Sequence, residues 1–336
     1  MAWQFHFLKN IGIDLGTANV VIYVQGRGYV INEPALIAYL AGGKEKIVGR
    51  EVMDMQGREH RELRVLQPLA NGVIADFQAS EDMIRGFIEQ ARLPKFLLNR
   101  IVVGVPSGIT AVEENGVHES AVKAGGKHVH LIEEPMAAAV GIGLDVFGGK
   151  ASMIVDIGGG TTDIAVINYG GIVVDETVRI AGYDLNNALI NFLKNEYHLE
   201  IGRLTAEQVK LRYGKFGPSI PEQMFSVNGL DLINKLPRKL QLSNSIFDNA
   251  FRAVIQAITK AIFKTLEQLP PDLSEDILDH GMIITGGGSL LRGFDQYLRD
   301  LLGFPVSRPS NPLLTVAEGT RKILDNYDLY HPLLRH

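Results

Sequence analysis

Apolar positions near the start of the chain fall into short runs broken by glycine, and the same order of runs returns in its middle. Ile11-Gly12-Ile13-Asp14-Leu15-Gly16-Thr17 and Ile154-Val155-Asp156-Ile157-Gly158-Gly159-Gly160-Thr161 are both apolar segments that end in aspartate and then glycine. Each leads to a second apolar run, Val20 to Val24 or Ile164 to Ile167, then to a glycine turn (Gly26 and Gly28; Gly170 and Gly171) and a third run. Runs of this length bounded by glycine predict strands, so each half opens with a three-strand meander. Later runs match too, because Ile101-Val102-Val103-Gly104-Val105-Pro106 answers Met282-Ile283-Ile284-Thr285-Gly286-Gly287-Gly288. After each comes a helix rich in small residues, one starting at Pro135 and the other at Pro312. Proline suits the first helical turn, where its missing amide proton would be unpaired anyway. Small side chains let two such helices cross closely.

Between these parts the period changes. Phe247, Phe251, Val254, Ile255, Ile258, Ile262 and Leu266 recur at helical spacing and predict one core helix from Ser245 to Leu269, stopped by Pro270-Pro271. Two stretches, roughly Glu33 to Arg64 and Tyr183 to Asn244, interrupt the duplicated plan and are expected to form small outer subdomains. The expected division is therefore 1–32, 66–145 and 314–336 for a first core subdomain with 33–65 inserted, and 146–181 and 245–313 for a second with 182–244 inserted.

Composition narrows the partners. Of 336 residues 46% are hydrophobic, enough for one large domain or two medium ones, and 33 basic residues against 38 acidic ones leave no basic stripe for a phosphate backbone. Nucleic acid is not an expected partner. With no cysteine there is no disulfide or thiolate metal site, in keeping with a reducing cytoplasm. Residues Met1 to Asn10 lack the features of an export signal, and no apolar run approaches the roughly 20 residues of a membrane-spanning helix. The chain is expected to be soluble or peripheral.

The chemistry lies in the glycine loops. A turn such as Asp14-Leu15-Gly16-Thr17-Ala18-Asn19 lacks bulk, so its backbone amides can approach phosphate oxygens. One such hairpin is ordinary, but two in matching positions can face each other across a cleft and hold a polyphosphate. Asp14 and Asp156 would then oppose one another, an arrangement suited to a magnesium ion that keeps several waters. A third cluster, Gly286-Gly287-Gly288-Ser289, follows an apolar strand and could lie against a nucleobase. Neither the phosphate loop ending in Gly-Lys-Ser/Thr nor Gly-x-Gly-x-x-Gly is present, and the nine histidines form no metal-binding array.

These three loops resemble the two phosphate motifs and the adenosine motif of the actin, sugar kinase and heat-shock chaperone ATPase superfamily. Within it the chain is similar to the MreB family of bacterial actin-like proteins from about Ile11 to about Leu324. Asn32-Glu33-Pro34, Gly72-Val73-Ile74-Ala75-Asp76, Leu131-Ile132-Glu133-Glu134-Pro135-Met136-Ala137-Ala138-Ala139, Asp156-Ile157-Gly158-Gly159-Gly160-Thr161-Thr162 and Thr285-Gly286-Gly287-Gly288-Ser289-Leu290-Leu291-Arg292-Gly293 carry the likeness in order.

The resemblance implies an α/β duplicated actin-like (ribonuclease H-like) fold, binding of ATP and Mg2+, and ATP hydrolysis. It assigns Thr17, Ala18 and Asn19 to the first phosphate loop and Gly158, Gly159 and Gly160 to the second. Glu207 and Lys210, three apart on one helical face, would lie beside the adenosine, and Gly287, Gly288, Ser289 and Leu290 would hold the adenine side. Glu134 would position the attacking water with Thr161 as its helper; on spacing alone Glu134 can equally serve as a helix cap. The resemblance further implies head-to-tail polymerisation into paired protofilaments at the inner face of the cell membrane, with cell-shape membrane proteins of the elongation machinery as partners. Phe96, Leu97 and Leu98 stand where the family carries a membrane-inserting loop, and Trp3, Phe5, Phe7 and Leu8 add an apolar start. A metabolic small-molecule kinase on the same fold is the alternative.

The chain departs from the family pattern at Leu66-Gln67-Pro68-Leu69-Ala70-Asn71, where Arg-Pro-Met and a charged residue are common. It departs again at Asp163, which replaces a glutamate, and at Gln208, which replaces a frequent arginine. None of these is expected to touch the catalytic core.

Overall fold

The chain begins its first sheet with a meander of β1 (Lys9–Leu15), β2 (Asn19–Val24) and β3 (Gly28–Pro34). In the computed structural model, which describes residues 8–43, 45–70 and 72–335, β4 (Leu98–Val105) lies parallel to β1, and β5 (His128–Glu133) lies parallel to β4. Trp3, Phe5 and Phe7 fall outside the described residues. The second sheet repeats the plan with β6 (Ser152–Ile157), β7 (Thr162–Asn168), β8 (Gly171–Val178), β9 (Met282–Thr285) and β10 (Val306–Ser307). The sheet orders are β5-β4-β1-β2-β3 and β10-β9-β6-β7-β8, so each strand of one half has its counterpart in the other.

Central strands read as continuous apolar runs because helices cover both faces of each sheet. Ile11, Ile13, Ile101, Val103, Ile154 and Val155 are all buried. Asp14 and Asp156 break these runs near the carboxyl ends of β1 and β6, the edge at which open α/β sheets bind ligands.

The helices that matter are α1 (Phe77–Gln90), α2 (Ala111–Lys123), α3 (Glu134–Ile142), α4 (Gly182–Tyr197), α5 (Arg203–Tyr213), α6 (Arg252–Glu267) and α7 (Thr315–Asp325). Asp76 caps α1 by accepting from the Ala79 amide, and Thr110 with Glu113 forms a capping box on α2. The core helix expected from Ser245 to Leu269 is divided at Phe251 into Ile246–Ala250 and α6. The break leaves the Phe247 and Phe251 rings 5.1 Å apart and both fully buried, a packing that overrides helical continuity. Likewise Pro312–Leu314 is a separate 3-10 turn ahead of α7. A small antiparallel sheet of Ile37–Leu40, Glu45–Val48 and Leu63–Leu66 adjoins the first half, and one of Leu199–Glu200, Met224–Asp231 and Pro237–Ser243 the second.

Helices α3 and α7 exchange sides. α3 follows β5 of the first sheet but packs on β6 and β7 of the second, whereas α7 follows β10 of the second and packs on β1, β2 and β4. They cross at glycine. A Cβ on Gly319 would stand 1.9 Å from the Ala137 carbonyl oxygen, and one on Gly141 would stand 2.1 Å from that of Thr315. The two backbones are in contact, as the small-residue pattern predicts.

Candidate functional site

Four carboxyl groups gather at the strand ends between the halves. Asp156 on β6 and Asp163 on β7 are cross-strand partners, and Asp14 and Glu134 face them from β1 and from the first residue of α3. Burial pushes the Asp14 carboxyl up from 3.8 to about 7. Glu134 is raised well above its ordinary range, first by burial and then by the charges of Asp163, Asp14 and Asp156. Asp156 is raised by burial and by Asp163 and Asp14. Asp163 is raised by burial although hydroxyls of Thr177, Thr161 and Ser107 favour its charged form. Such a cluster resists full ionisation without a cation.

Asp163 also ties the halves together. Its Oδ1 accepts from the Ser107 amide at 3.2 Å and from the Thr177 hydroxyl at 2.7 Å, while the Gly108 amide donates to Thr177 at 2.9 Å. Contrary to expectation, this departure from the family pattern does reach the residues expected to be catalytic, through Thr161 and through its charge on Glu134. Only the β6–β7 register brings it there. The expectation also missed Gln67, whose amide nitrogen donates at 2.8 Å to the Thr17 carbonyl and at 2.8 Å to the Tyr183 hydroxyl.

The two hairpin loops meet directly. A Cβ on Gly159 would lie 2.8 Å from that of Ala18, so glycine is what lets the second loop close on the first. Thr17 is buried with its hydroxyl accepting from the Gly72 amide at 2.8 Å. The second loop is fixed by the Gly158 amide donating to Thr161 at 2.9 Å, and by Gly182 and Tyr183 amides donating to the carbonyls of Gly158 and Gly159. Gly160 is buried between these anchors, whereas Asn19 is exposed where β2 begins.

Lys210 donates to the Gly182 carbonyl and to Glu207, each at 2.9 Å, which makes the pair on α5 a wall of the same cleft. Asn186 on α4 also donates to Glu207, and its own Oδ1 is buried with no hydrogen-bond partner among the described residues. Gly288 packs against Ile157, where a Cβ would be 2.2 Å from its side chain, and Ser289 is fully buried, donating to the Gly286 carbonyl at 2.7 Å. Gly287 lies beside Leu313, and Leu290 is exposed. No hydrogen bond among the described residues ties down the Glu134 carboxyl. Glu133, the residue at the helix cap, makes no capping bond and pairs instead with Arg335. Among the described residues no three carboxyl or imidazole groups form a direct metal-ligand set.

A family model described as MreB/Mbl protein matches residues 8–331. The chain belongs to the MreB/Mbl family. Its MreB/Mbl relatives include the cell shape-determining protein Mbl of Bacillus subtilis strain 168, 43% identical over 324 residues, which cover 96% of this chain and 97% of that protein. The cell shape-determining protein MreB of Escherichia coli K12 is 41% identical over 331 residues, covering 96% and 95%. The solved structure of MreB5 of Spiroplasma citri bound to AMPPNP superposes with a TM-score of 0.91 at 33% identity, covering 97% of this chain and 98% of that one. The actin-like fold expected from the loops is therefore the fold of this MreB/Mbl chain.

One expectation needs correction. Phe96 is 73% exposed and Leu97 half-buried, but Leu98 opens β4 and is fully buried in the first core, so it cannot face a membrane in the folded chain. Hydropathy makes the three look alike; strand pairing separates them. Among the described residues no helix is long and apolar enough to cross a membrane.

Proposed function

We propose that the chain binds and hydrolyses ATP in this cleft and polymerises head to tail into membrane-associated filaments that organise cell-wall synthesis and maintain rod cell shape. The observation that carries this is the direct meeting of two matching Asp-Gly-Thr loops across a cleft, in a chain of the MreB/Mbl family. The AMPPNP in the MreB5 structure supports a nucleoside triphosphate as the ligand. A small-molecule kinase has no support in these relatives, which are named for cell shape along their whole length.

The backbone amides of Thr17 to Asn19 and Gly158 to Gly160 would bind the phosphates. Glu207 and Lys210 would lie on the ribose side, where the unpaired Asn186 Oδ1 can accept from a hydroxyl, and Gly287 to Leu290 would flank the base. Magnesium would be held through water by Asp14 and Asp156 and would neutralise phosphate charge. The raised carboxyls fit that arrangement. Glu134, whose carboxyl no hydrogen bond among the described residues ties down and which burial and the neighbouring carboxylates raise, would orient the attacking water with Thr161 beside it. Positioning supplies most of the catalysis in phosphoryl transfer.

Exposed Phe96, with half-buried Leu97 beside it, would enter a lipid surface, weakly in a monomer and tightly when a filament presents many copies. The deciding experiment combines electron microscopy with phosphate release, with and without ATP. Nucleotide-dependent filaments that release phosphate are expected. Phosphate transfer to a small hydroxyl compound without filaments would reject the cytoskeletal role.

A further inference from the structure

Gln67 occupies a place that the nucleotide chemistry alone does not require. Its amide nitrogen has two hydrogens, and both are used: one on the Thr17 carbonyl in the first phosphate loop, the other on the Tyr183 hydroxyl, each at 2.8 Å. Tyr183 in turn donates its backbone amide to the Gly159 carbonyl at 2.8 Å. The path therefore runs from the first loop through Gln67 to Tyr183 and into the second loop, closing a ring whose other side is the Ala18–Gly159 contact.

We propose that Gln67 is a positioning residue that latches the two phosphate loops across the cleft and sets the rate at which bound nucleotide is released. A ligand held between two loops leaves when they separate, and separating them breaks a bond on one side of this single amide. The latch has a handle. Leu66, immediately before it, is paired with Ile37 in the small outer sheet of the first half, so a shift of that sheet is delivered straight to Gln67. Contacts made by the outer sheet, as in a polymer, thereby act on nucleotide exchange without touching the ligand.

This inference rests on the nucleotide cleft of the proposed function, and its test separates the two. Release of a fluorescent ATP analogue with magnesium is followed by stopped flow in unpolymerised full-length protein, for the unaltered chain, Gln67→Leu, Tyr183→Phe and the double variant. Tyr183→Phe removes only the accepting hydroxyl, so the chain should fold whatever Gln67→Leu does. Each single change is expected to speed release about fivefold, the size of one net hydrogen bond. The double variant is expected to be no faster than the faster single one, a non-additivity that a general loosening of the fold would not produce. Release from Tyr183→Phe at the unaltered rate, or strictly additive effects, overturns the latch while leaving the cleft intact. No binding of the analogue by the unaltered chain overturns the cleft and the latch together.

Discussion

Replacing Gly319 with alanine tests whether the α3–α7 crossing holds the catalytic geometry. The added Cβ would stand 1.9 Å from the Ala137 oxygen and 2.5 Å from its carbonyl carbon. Comfortable contact needs about 3.5 Å, so the helices must part by roughly 1.5 Å. Both obstacles are backbone, and neither can turn aside as a side chain would. Overpacking of this kind costs about 3 kcal/mol, and the better helix propensity of alanine returns about 1 kcal/mol, leaving a net loss of about 2 kcal/mol. The melting midpoint should fall by about 3 °C. Because Glu134 is the first residue of α3, the same displacement should lower single-turnover phosphate release about tenfold or more, with nucleotide affinity changed less. Gly202→Ala, where a Cβ meets nothing within 4 Å, is the control and should stay within about 0.5 kcal/mol. A Gly319→Ala protein with unaltered melting and phosphate release would refute close backbone contact as a requirement.

Glu134→Ala is expected to retain nucleotide binding and lower hydrolysis about 10²-fold, measured by affinity and phosphate release; unchanged hydrolysis would leave Glu134 a helix-start residue only. The ligand-free chain should lose stability as pH rises from about 4 through about 7, because Asp14 titrates at 3.8 when unfolded and about 7 when folded, so the native form holds the proton more tightly across that window. Melting curves against pH should show a shallower decline in Asp14→Asn, and equal slopes would contradict the assignment. Phe96→Ser should weaken co-sedimentation of the polymer with anionic vesicles at nearly constant stability. Leu98→Ser should instead destabilise the fold by about 3 kcal/mol, and the reverse pattern would return Leu98 to the surface.

The duplication was legible because it rests on local features, a strand ending in Asp-Gly followed by a glycine turn, and those repeat visibly at Asp14 and Asp156. The small-residue helices at Pro135 and Pro312 announced a close crossing for the same reason. Their exchange between sheets could not be read, since nothing local in α7 says which sheet it will cover. Asp163 was noted only as a departure from the family pattern, because its role depends on standing opposite Asp156 in the β6–β7 register and on Ser107 arriving from the other half. Gln67 joins residues 50 and 116 positions away through one amide, a relation that hydropathy does not record. The helix break at Phe251 likewise follows from ring packing against the core rather than from any breaker residue.

The exchange of α3 and α7 also orders events during synthesis. Thr320 of α7 fills the space above Gly12, with its hydroxyl 2.4 Å from where a Cβ would be, and Val316, Ile323 and Leu324 cover Tyr23, Val102 and Ile132 of the first sheet. The strands of that sheet are complete at Glu133, but this face stays open until the ribosome has passed Asp325. At about 5–20 residues per second, the delay is roughly 10–40 s. For that interval the nascent chain presents a finished sheet with one bare apolar side. The same exchanged helices that join the halves of the mature protein thus leave its emerging N-terminal half with apolar surface exposed until synthesis is nearly done.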